Sequence, residues 1–482
     1  MHVTSLVTTS AVLTLLLSGL SSPSRAQEPV NTATPAATED ASAAATPAPV
    51  NSKVRIVRLS EVKGEVQLDR NIGRGFETPM TNLPITEGVR LKTGEGVAEV
   101  EFEDNSTLRI GPNALVEFPR LEMLPGGAKA SSINVRQGTV YVNLMNTKGN
   151  EFAVTFGKEK LNLPPDSHIR LQMTSADVNV AVLHGEAMVE GPSGSNPIGK
   201  NKTMTFNLAD ESQPVIAKNV AEEPLDSWDK DAVQYHKNFA NATSYGNQPY
   251  AYGINDMNYY GSFVNGAGCG GGSLWRPYFT SASWDPYGSG AWAYYPSAGY
   301  SWVSPYPWGW TPYHSGSWDF CPGIGWGWRA GGVWQGLANN SFRSAPTRPH
   351  PPTHPPTLAQ STVVPVNLKA IPSSSLTAND KFVFRSNSAG LGVPRATLGK
   401  LSSFSNHTEA HGVATTNVYF GGSQRGGSEG AERAGNYAGN PASTSSVSNI
   451  SSRASSSASM PGGSMGSHGG GGATGSGGGG RH

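Results

Sequence analysis

Two cysteines have the most clearly defined chemistry in this chain. Cys269 and Cys321 are the only cysteines among 482 residues. In an exported chain an even count favours a disulfide, and two free structural thiols are the alternative. They lie in the first and third copies of a repeated aromatic unit, so a bridge would join the outer copies. Loop-entropy arithmetic gives such a bridge about 4 kcal/mol.

No catalytic motif occurs in the sequence: the nucleophile elbow, the zinc-protease helix, the P-loop and the dinucleotide fingerprint are all missing. His314 and Asp319 form only a weak acid–base or metal candidate, and a turn histidine is the simpler interpretation. His350 and His354, in a Pro-rich stretch, are typical of loose, incidental metal binding. We therefore predict that the protein is not an enzyme and has no catalytic residue, metal site or cofactor.

The charge balance excludes one class of partner. Lysine and arginine together number 35, aspartate and glutamate also number 35, and the net charge is zero. Nucleic-acid binding needs a surplus of cationic side chains along a groove. We expect no nucleic-acid partner, and envelope proteins or polysaccharides such as peptidoglycan remain as candidate partners.

Tryptophan is concentrated in an internal repeat. Ten of the eleven tryptophans fall between Trp275 and Trp334. Asp285–Ser304 aligns with Thr311–Ala330 at an offset of 26 residues, with Trp and Pro at matching positions. A looser copy precedes them, which indicates three copies of ~26–29 residues. In each copy aromatic residues alternate on both sides of a Pro-x-x-Gly turn, which predicts β-hairpins with one aromatic face.

These aromatic residues have two interpretations. A small module with few leucines and isoleucines needs aromatic rings as its core, since each ring buries ~150–250 Å². Alternatively, some rings form an open platform that stacks on sugar rings or on another protein. The Trp308-Gly309-Trp310 sequence lies between repeats and is the best candidate for that platform. The full candidate binding surface is Trp308, Trp310, Trp284, Tyr287 and Tyr313.

The elements that must position these residues begin with a predicted signal peptide. Residues 6–20 are apolar and uncharged, and Ser24-Arg25-Ala26 has the small residues of a cleavage site. We predict a signal peptide over residues 1–26 and a disordered Ala/Thr/Pro-rich linker over 27–52. The mature protein is expected to be exported, either periplasmic or secreted at the envelope. No later stretch is long and apolar enough for a transmembrane anchor.

Composition divides the rest of the chain into three parts. Residues 53–210 alternate apolar and polar side chains between turn residues, which predicts an all-β domain. Residues 224–344 form the Trp/Tyr/Gly-rich module, and its lead-in Pro224–Ala240 is the one predicted helix, with Asp226 as candidate N-cap. Residues 345–482 are rich in Pro, Ser and Gly and are predicted to be mostly disordered, with a strand at Lys381–Arg385.

The β-rich segment resembles the FecR family of extracytoplasmic domains. Its opening strand, its Asp-Asn-Ser turn and its later glycine-then-strand segments follow the family order. The matching segments are Ser60–Val66, Leu83–Gly94, Ala98–Ile110, Val135–Val140 and Leu183–Val189. The resemblance implies an all-β fold outside the cytosol, and a sandwich, a jelly roll and a short solenoid all fit the pattern.

The resemblance has two departures. Pro165–Leu171 replaces a Gly-Thr-x-Phe-x-Val strand, and the chain lacks the cytosolic segment and membrane helix of FecR regulators that inhibit sigma factors. Sigma regulation is therefore not carried over. The aromatic module resembles an uncharacterised Trp/Tyr-Gly-rich bacterial family often found beside FecR-like domains, a likeness that adds no mechanism.

These observations predict a mainly β, non-enzymatic exported protein that binds or scaffolds at the cell envelope, with a glycan or a protein as ligand. The alternative is an extracytoplasmic sensory or regulatory component that acts through a separate membrane partner.

Overall fold

The computed structural model describes residues 54–192, 194–209, 213–246, 248–340, 349–357, 359–368, 381–396 and 398–417. The predicted signal peptide, the linker and the end of the predicted tail lie outside this part of the chain. The described residues are mainly β, as predicted.

The first domain consists of antiparallel strands, with one parallel pair between β8 and β9. Short alternating runs form these strands because one side of each run is apolar. The strands are β1 (Val57–Lys63), β2 (Val66–Asp69), β3 (Pro84–Ile85), β4 (Arg90–Thr93), β5 (Val97–Glu101), β6 (Thr107–Ile110), β7 (Leu115–Met123), β8 (Lys129–Asn143), β9 (Glu151–Phe156), β10 (Glu159–Leu163), β11 (His168–Met173), β12 (Asp177–His184), β13 (Glu186–Gly191), β14 (Gly194–Gly199), β15 (Thr203–Asn207) and β16 (Val215–Ala217).

Two sheets share strand β8 and enclose one aliphatic core. Sheet A has the order β3-β1-β5-β6-β8-β11-β12-β15-β16, and sheet B has the order β14-β13-β10-β9-β8-β7-β4-β2. Strand β8 passes from one sheet to the other at Gly138, which has φ +91°. A side chain there would collide with Ala114. Of the three topologies left open by the sequence, this arrangement fits the sandwich.

The lead-in to the aromatic module contains two helices. Helix α1 (Asp226–Phe239) confirms the predicted helix, and α2 (Ile254–Tyr260) follows it. The prediction that Asp226 is the N-cap is wrong: Leu225 occupies that position, with no side-chain capping bond. The Asp226 carboxylate instead accepts hydrogen bonds from Arg170 and from the Tyr141 hydroxyl, both at 2.7 Å.

The three predicted hairpins are present. They are β17 (Gly261–Asn265) with β18 (Ser273–Pro277), β19 (Gly290–Tyr295) with β20 (Gly299–Val303), and β21 (Ser317–Cys321) with β22 (Gly325–Arg329). A short helix, α3 (Thr311–His314), precedes the third hairpin. Trp292 pairs with Trp302, and Trp318 pairs with Trp328 at the same repeat positions. Equivalent residues of the two repeats therefore pair in the same cross-strand register.

The hairpins form two sheets. The first and third hairpins join through Trp275 and Trp328 in the order β17-β18-β22-β21. The middle hairpin accepts a strand from the predicted tail, β23 (Val363–Val366), in the order β20-β19-β23.

Part of the predicted disordered tail is folded, so that prediction is wrong for this segment. Besides β23 it contains β24 (Lys381–Arg385), at the predicted strand, α4 (Leu401–His411) and β25 (Val413–Asn417). The segment packs on the aromatic module, where Trp308 donates to the Ala389 carbonyl and Tyr260 donates to the Val393 carbonyl, both at 2.7 Å. Its low-complexity composition cannot form a core alone, but it can complete the surface of a core built elsewhere.

Candidate functional sites at the domain junction and in the aromatic module

A layer of buried charges joins sheet A to the aromatic module. On β1, β5 and β6 the apolar residues point into the aliphatic core, and the intervening residues point to the opposite face. Helices α1 and α2 and the tail segment cover that face and add charges of their own. The buried charge layer is Arg58, Glu99, Glu101, Arg109, Asp229, His236, Asp256 and Arg395.

Glu99 is the centre of one half of this layer. One carboxylate oxygen accepts from Arg395 at 2.7 Å, and the other accepts from Arg109 at 3.0 Å. The His236 imidazole lies 3.1 Å from both oxygens. Arg109 also reaches Asp229 at 2.6 Å. One glutamate therefore connects strand β6, helix α1 and the tail.

Asp256 is the centre of the other half. Arg58 contacts Asp256 and Glu101, both at 2.7 Å, and its side chain has no exposed area. Arg395 donates to the second Asp256 oxygen at 2.8 Å, and the Tyr235 hydroxyl donates to the same oxygen at 2.6 Å. Arg395 thus bridges the two halves and carries a charge from the tail into the junction.

The electrostatics of the layer keep its carboxylates ionised. Burial raises the pKa of Glu99, but His236, Arg395 and Arg109 outweigh burial and hold that pKa well below its usual range. Burial likewise raises the pKa of Asp256, and Arg395 and Arg58 bring it below its usual value. Both groups are therefore charged near neutral pH, and each depends on its cations to be so.

Glu99, Glu101 and His236 offer ligand atoms within 4.8 Å of one another, a spacing that suits a metal ion. One Glu101 oxygen also has no hydrogen-bond partner among the described residues. However, both Glu99 oxygens already accept hydrogen bonds from arginines, one from Arg395 and the other from Arg109. Three arginines stand against the four carboxylates of the layer. The donors are therefore engaged in a structural ion network.

The predicted aromatic platform is not on the surface. Trp308 and Trp310 have no exposed area, and Trp284, Tyr287 and Tyr313 are between 2% and 5% exposed. Gly309 does not leave its neighbours open, since a side chain there would collide with Ser304. All five residues are buried, four of them in the aromatic core and Trp310 in the cluster that contains the aliphatic core, which corrects the platform hypothesis. The residues that cover them come from the tail and from the lead-in around Tyr252, too distant in sequence to be foreseen.

His314 is buried beside Trp310. Its ring centroid lies 4.3 Å from that of Trp310 and 5.0 Å from that of Trp334, and its Nδ1 is 2.9 Å from the Gly336 carbonyl oxygen. Burial lowers the pKa of His314 to about 3. Asp319, its predicted companion, instead pairs with Arg329 at 2.9 Å. The imidazole is therefore neutral and packs as an aromatic ring.

An open groove of about 710 Å³ lies beside the third hairpin, and we call it the aromatic groove. Phe320, which is 52% exposed, stands among the lining residues, with Trp326 at 5.5 Å between ring centroids. Trp284 is the one predicted platform residue that lines it. Phe320 and Trp326 are the repeat equivalents of Tyr294 and Tyr300. The sequence therefore predicted a pair of aromatic residues at this place in the third hairpin. The lining residues are Gly268, Cys269, Ala282, Ser283, Trp284, Asp285, Trp318, Asp319, Phe320, Pro322 and Trp326.

The predicted disulfide between Cys269 and Cys321 is confirmed. It links the turn of the first hairpin to the end of β21, next to the groove. Arg329 fixes the same turn by donating to the carbonyls of Gly271 and Cys269, at 2.9 and 3.0 Å. One end of the groove is thereby held by a covalent bond and by a guanidinium clamp.

Residues 254–348 match the model of a family described as "Family of unknown function (DUF6600)". The match spans α2 and all three hairpins, and it contains the aromatic groove. No curated protein matches the chain.

Two crystal structures of a protein described as "putative anti-sigma factor from Parabacteroides distasonis ATCC 8503" are similar to part of the chain. The identities are 12% and 13%, and each comparison covers 29% of this chain and 63% of that protein, with a TM-score of 0.25. This chain thus spans less than two thirds of that protein. A TM-score this low supports no conclusion about function.

Two further observations bear on location. Among the described residues, no helix combines the length and the apolar character needed to cross a bilayer. A disulfide such as Cys269–Cys321 is typical of proteins outside the reducing cytosol.

Proposed function

We propose that this chain is a non-enzymatic exported protein that binds another protein at the cell envelope through the aromatic groove. The observation that carries the proposal is the groove itself, with a volume of about 710 Å³ and with Phe320 half exposed beside the disulfide. Its size lies within the ~300–1,000 Å³ range of binding clefts.

The lining favours a protein ligand over a glycan. Stacking on sugar rings needs open, flat aromatic faces, and Trp284, Trp318 and Trp326 are each at most 8% exposed. Phe320 alone presents a large ring area, which suits insertion of an apolar side chain beside it. A protein segment also matches the mixed lining, in which Asp285 and Asp319 accompany the rings.

The rest of the molecule would act as a rigid support for this groove. The buried charge layer fixes the module against the β domain, and the disulfide fixes one wall of the groove. Preorganised walls lower the entropy cost of binding. Export is part of the proposal, and the disulfide is the structural feature that supports it.

The test compares retention of ligands on immobilised full-length protein. Envelope proteins and peptidoglycan are applied to wild type, to Phe320→Ser and to the control Val333→Ser, whose parent side chain is 84% exposed and is not part of the lining. We expect one protein to be retained by wild type and by the control, and to be retained at least about tenfold less by Phe320→Ser. Equal retention on all three surfaces would reject the groove as the site.

The same experiment separates the alternatives. Retention of peptidoglycan that depends on Phe320 would favour the glycan ligand. A membrane sensor protein that is retained equally by all three surfaces, through a part of the molecule other than the groove, would favour the sensory function.

A further inference from the structure

In the middle hairpin, the outer edge of strand β19 is already paired with another strand. Strand β23 of the tail adds to the outer side of β19 as an antiparallel strand, with Trp292 opposite Val364 and Ala293 opposite Val363. The Tyr294 amide extends this pairing by donating to the Thr362 carbonyl at 2.8 Å. The middle hairpin therefore binds an extended peptide through its backbone.

Strand β21 is the repeat equivalent of β19. At the offset of 26 residues, Trp318 replaces Trp292, Asp319 replaces Ala293 and Phe320 replaces Tyr294. Strand β21 is the last strand in its sheet order, whereas β19 lies between two strands. The third hairpin thus presents an outer strand at the position where the middle hairpin holds β23.

The aromatic groove follows this outer strand. Three consecutive residues of β21, Trp318, Asp319 and Phe320, line it. Side chains of consecutive strand residues point to opposite faces, so a cavity that touches all three runs along the edge of the strand. The groove therefore adjoins the outer edge of β21, where the Phe320 carbonyl oxygen lies 3.9 Å from Cys269 Sγ.

The charges beside β21 select the chemistry of the added strand. Asp285 and Asp319 line the groove, whereas Arg329, which pairs with Asp319 at 2.9 Å and also donates to two backbone carbonyls, is not among the lining residues. Asp319 replaces the Ala293 that faces Val363 in the occupied hairpin. A basic side chain at the position of Val363 would therefore lie beside the Asp319 carboxylate, as a second cation next to the one that Arg329 supplies.

We infer that the aromatic groove binds an extended segment of a partner protein by strand addition to β21, and that this segment combines β-branched residues with a basic residue opposite Asp319. The inference rests on the proposed function and specifies its partner. Main-chain hydrogen bonds supply the affinity in this mode, and the groove selects alternate side chains.

The probe is a synthetic peptide of residues 361–367 carrying Val363→Lys, with the sequence Ser-Thr-Lys-Val-Pro-Val-Asn. Because the Tyr294 amide bonds Thr362, the residues that direct their backbone to the strand are Thr362, Val364 and Val366. A second peptide carries a methyl group on the nitrogen that corresponds to Val364. It keeps the side chains and blocks one backbone hydrogen bond.

Binding of both peptides to the full-length protein is measured by titration, and the site is located by amide hydrogen exchange. We expect saturable binding, protection within Ser317–Cys321 but not within Gly290–Tyr295, and at least about tenfold weaker binding of the methylated peptide. Asp319→Asn should weaken the lysine peptide about threefold to tenfold and leave the unsubstituted 361–367 peptide unchanged. The control Val333→Ala should change neither.

The outcomes separate this inference from the proposed function. Equal binding of the two peptides, or protection outside β21, overturns strand addition. An envelope protein that depends on Phe320 while the lysine peptide fails to bind leaves the proposed function in place and rejects strand addition. Failure of both the peptide and the envelope-protein experiment rejects both.

Discussion

The buried charge layer and the aromatic core are both sealed from water, but different forces hold them. In the layer, Glu99 and Asp256 are stabilised by cations from distant parts of the chain, and every partner is needed. In the aromatic core, Trp308 stacks on Tyr306 at 5.0 Å between ring centroids and lies tilted against Trp318 at 5.9 Å. The charge layer depends on specific charged partners, whereas the aromatic core depends on side chains that fill its volume.

This difference indicates separate roles. Buried ion pairs add little net stability, but removing one partner leaves the other charge buried without compensation. Aromatic burial is non-directional and supplies stability in proportion to area. The charge layer therefore fixes how the β domain and the module are joined, and the aromatic core stabilises the module.

The largest expected effect comes from breaking the charge layer at its centre. Glu99→Ala leaves Arg109, Arg395 and His236 facing each other in a dry site, and we expect it to lower the free energy of unfolding by about 5 kcal/mol. Urea unfolding at pH 7 measures this. Arg120→Ala, which removes an exposed pair with Glu122, is the control and should change little. A small effect at Glu99 would mean that water already reaches the layer.

The aromatic core is tested by Trp308→Ala. Trp308 has no exposed area and lies beside Trp275, Tyr306 and Trp318. We expect a loss of about 4 kcal/mol, and Trp308→Phe should recover more than half of it because the site requires volume. An equal loss for both variants would instead assign the effect to the hydrogen bond between the Trp308 indole and Ala389.

The disulfide is the third contribution. It closes a sequence separation of 52 residues, and its removal by Cys269→Ser with Cys321→Ser should cost roughly 3 kcal/mol, below the loop-entropy value because native contacts also restrain the turn. The double variant avoids leaving a single thiol. Unchanged stability would show that Arg329 alone restrains the turn around Gly271.

Local patterns predicted the hairpins, and long-range packing decided the rest. The 26-residue offset and the alternation of Trp292 with Tyr294 predicted the paired strands, since both signals can be read from a short stretch of sequence. The charge layer was not predicted, because Arg58, Glu99 and Arg109 have the pattern of a solvent-facing strand surface. Their partners lie far away: Arg395 is 296 residues from Glu99.

The platform hypothesis had the same weakness. Trp308 and Trp310 flank a glycine between repeats, a local pattern that suits exposure as well as burial. The two tryptophans are buried because Tyr252 packs on Trp310 and the segment around Ala389 covers Trp308. Ala389 lies in a segment whose composition indicates disorder. Sequence predicted the aromatic module and the disulfide, but not which rings would be covered.

Acid should affect the two regions in different pH ranges. The folded-state pKa of His314 is about 3, below its ordinary 6.5, so its contribution to stability is complete above pH 6.5 and is lost as pH falls toward 3. At pH 5 the loss should be about 2 kcal/mol. The pKa values of Glu99 and Asp256 are lowered in the folded state. These two carboxylates therefore contribute to stability at pH values above their ordinary pKa, and that contribution is lost only in stronger acid.

Urea unfolding of His314→Gln between pH 7 and pH 5 measures that difference. The variant should be less stable at pH 7 but should lack the decline between pH 7 and pH 5. A decline of the same size in the variant would move the acid sensitivity to another group.

The smallest expected change in stability comes from substituting two equivalent residues of the repeat, Tyr294 and Phe320. Tyr294 packs against Tyr300 at 5.3 Å between centroids, and its backbone is joined to the tail, whereas Phe320 is 52% exposed beside the groove. Tyr294→Ala should cost about 1.5 kcal/mol and Phe320→Ala about 0.5 kcal/mol, since less apolar area leaves water at the second site. Thermal and urea unfolding of both variants test this ratio. If Phe320 proves as costly as Tyr294, it serves the core. If Phe320→Ala lowers the free energy of unfolding only slightly but ligand retention falls, the exposed ring serves binding. Stability then does not account for a large aromatic side chain beside an open groove.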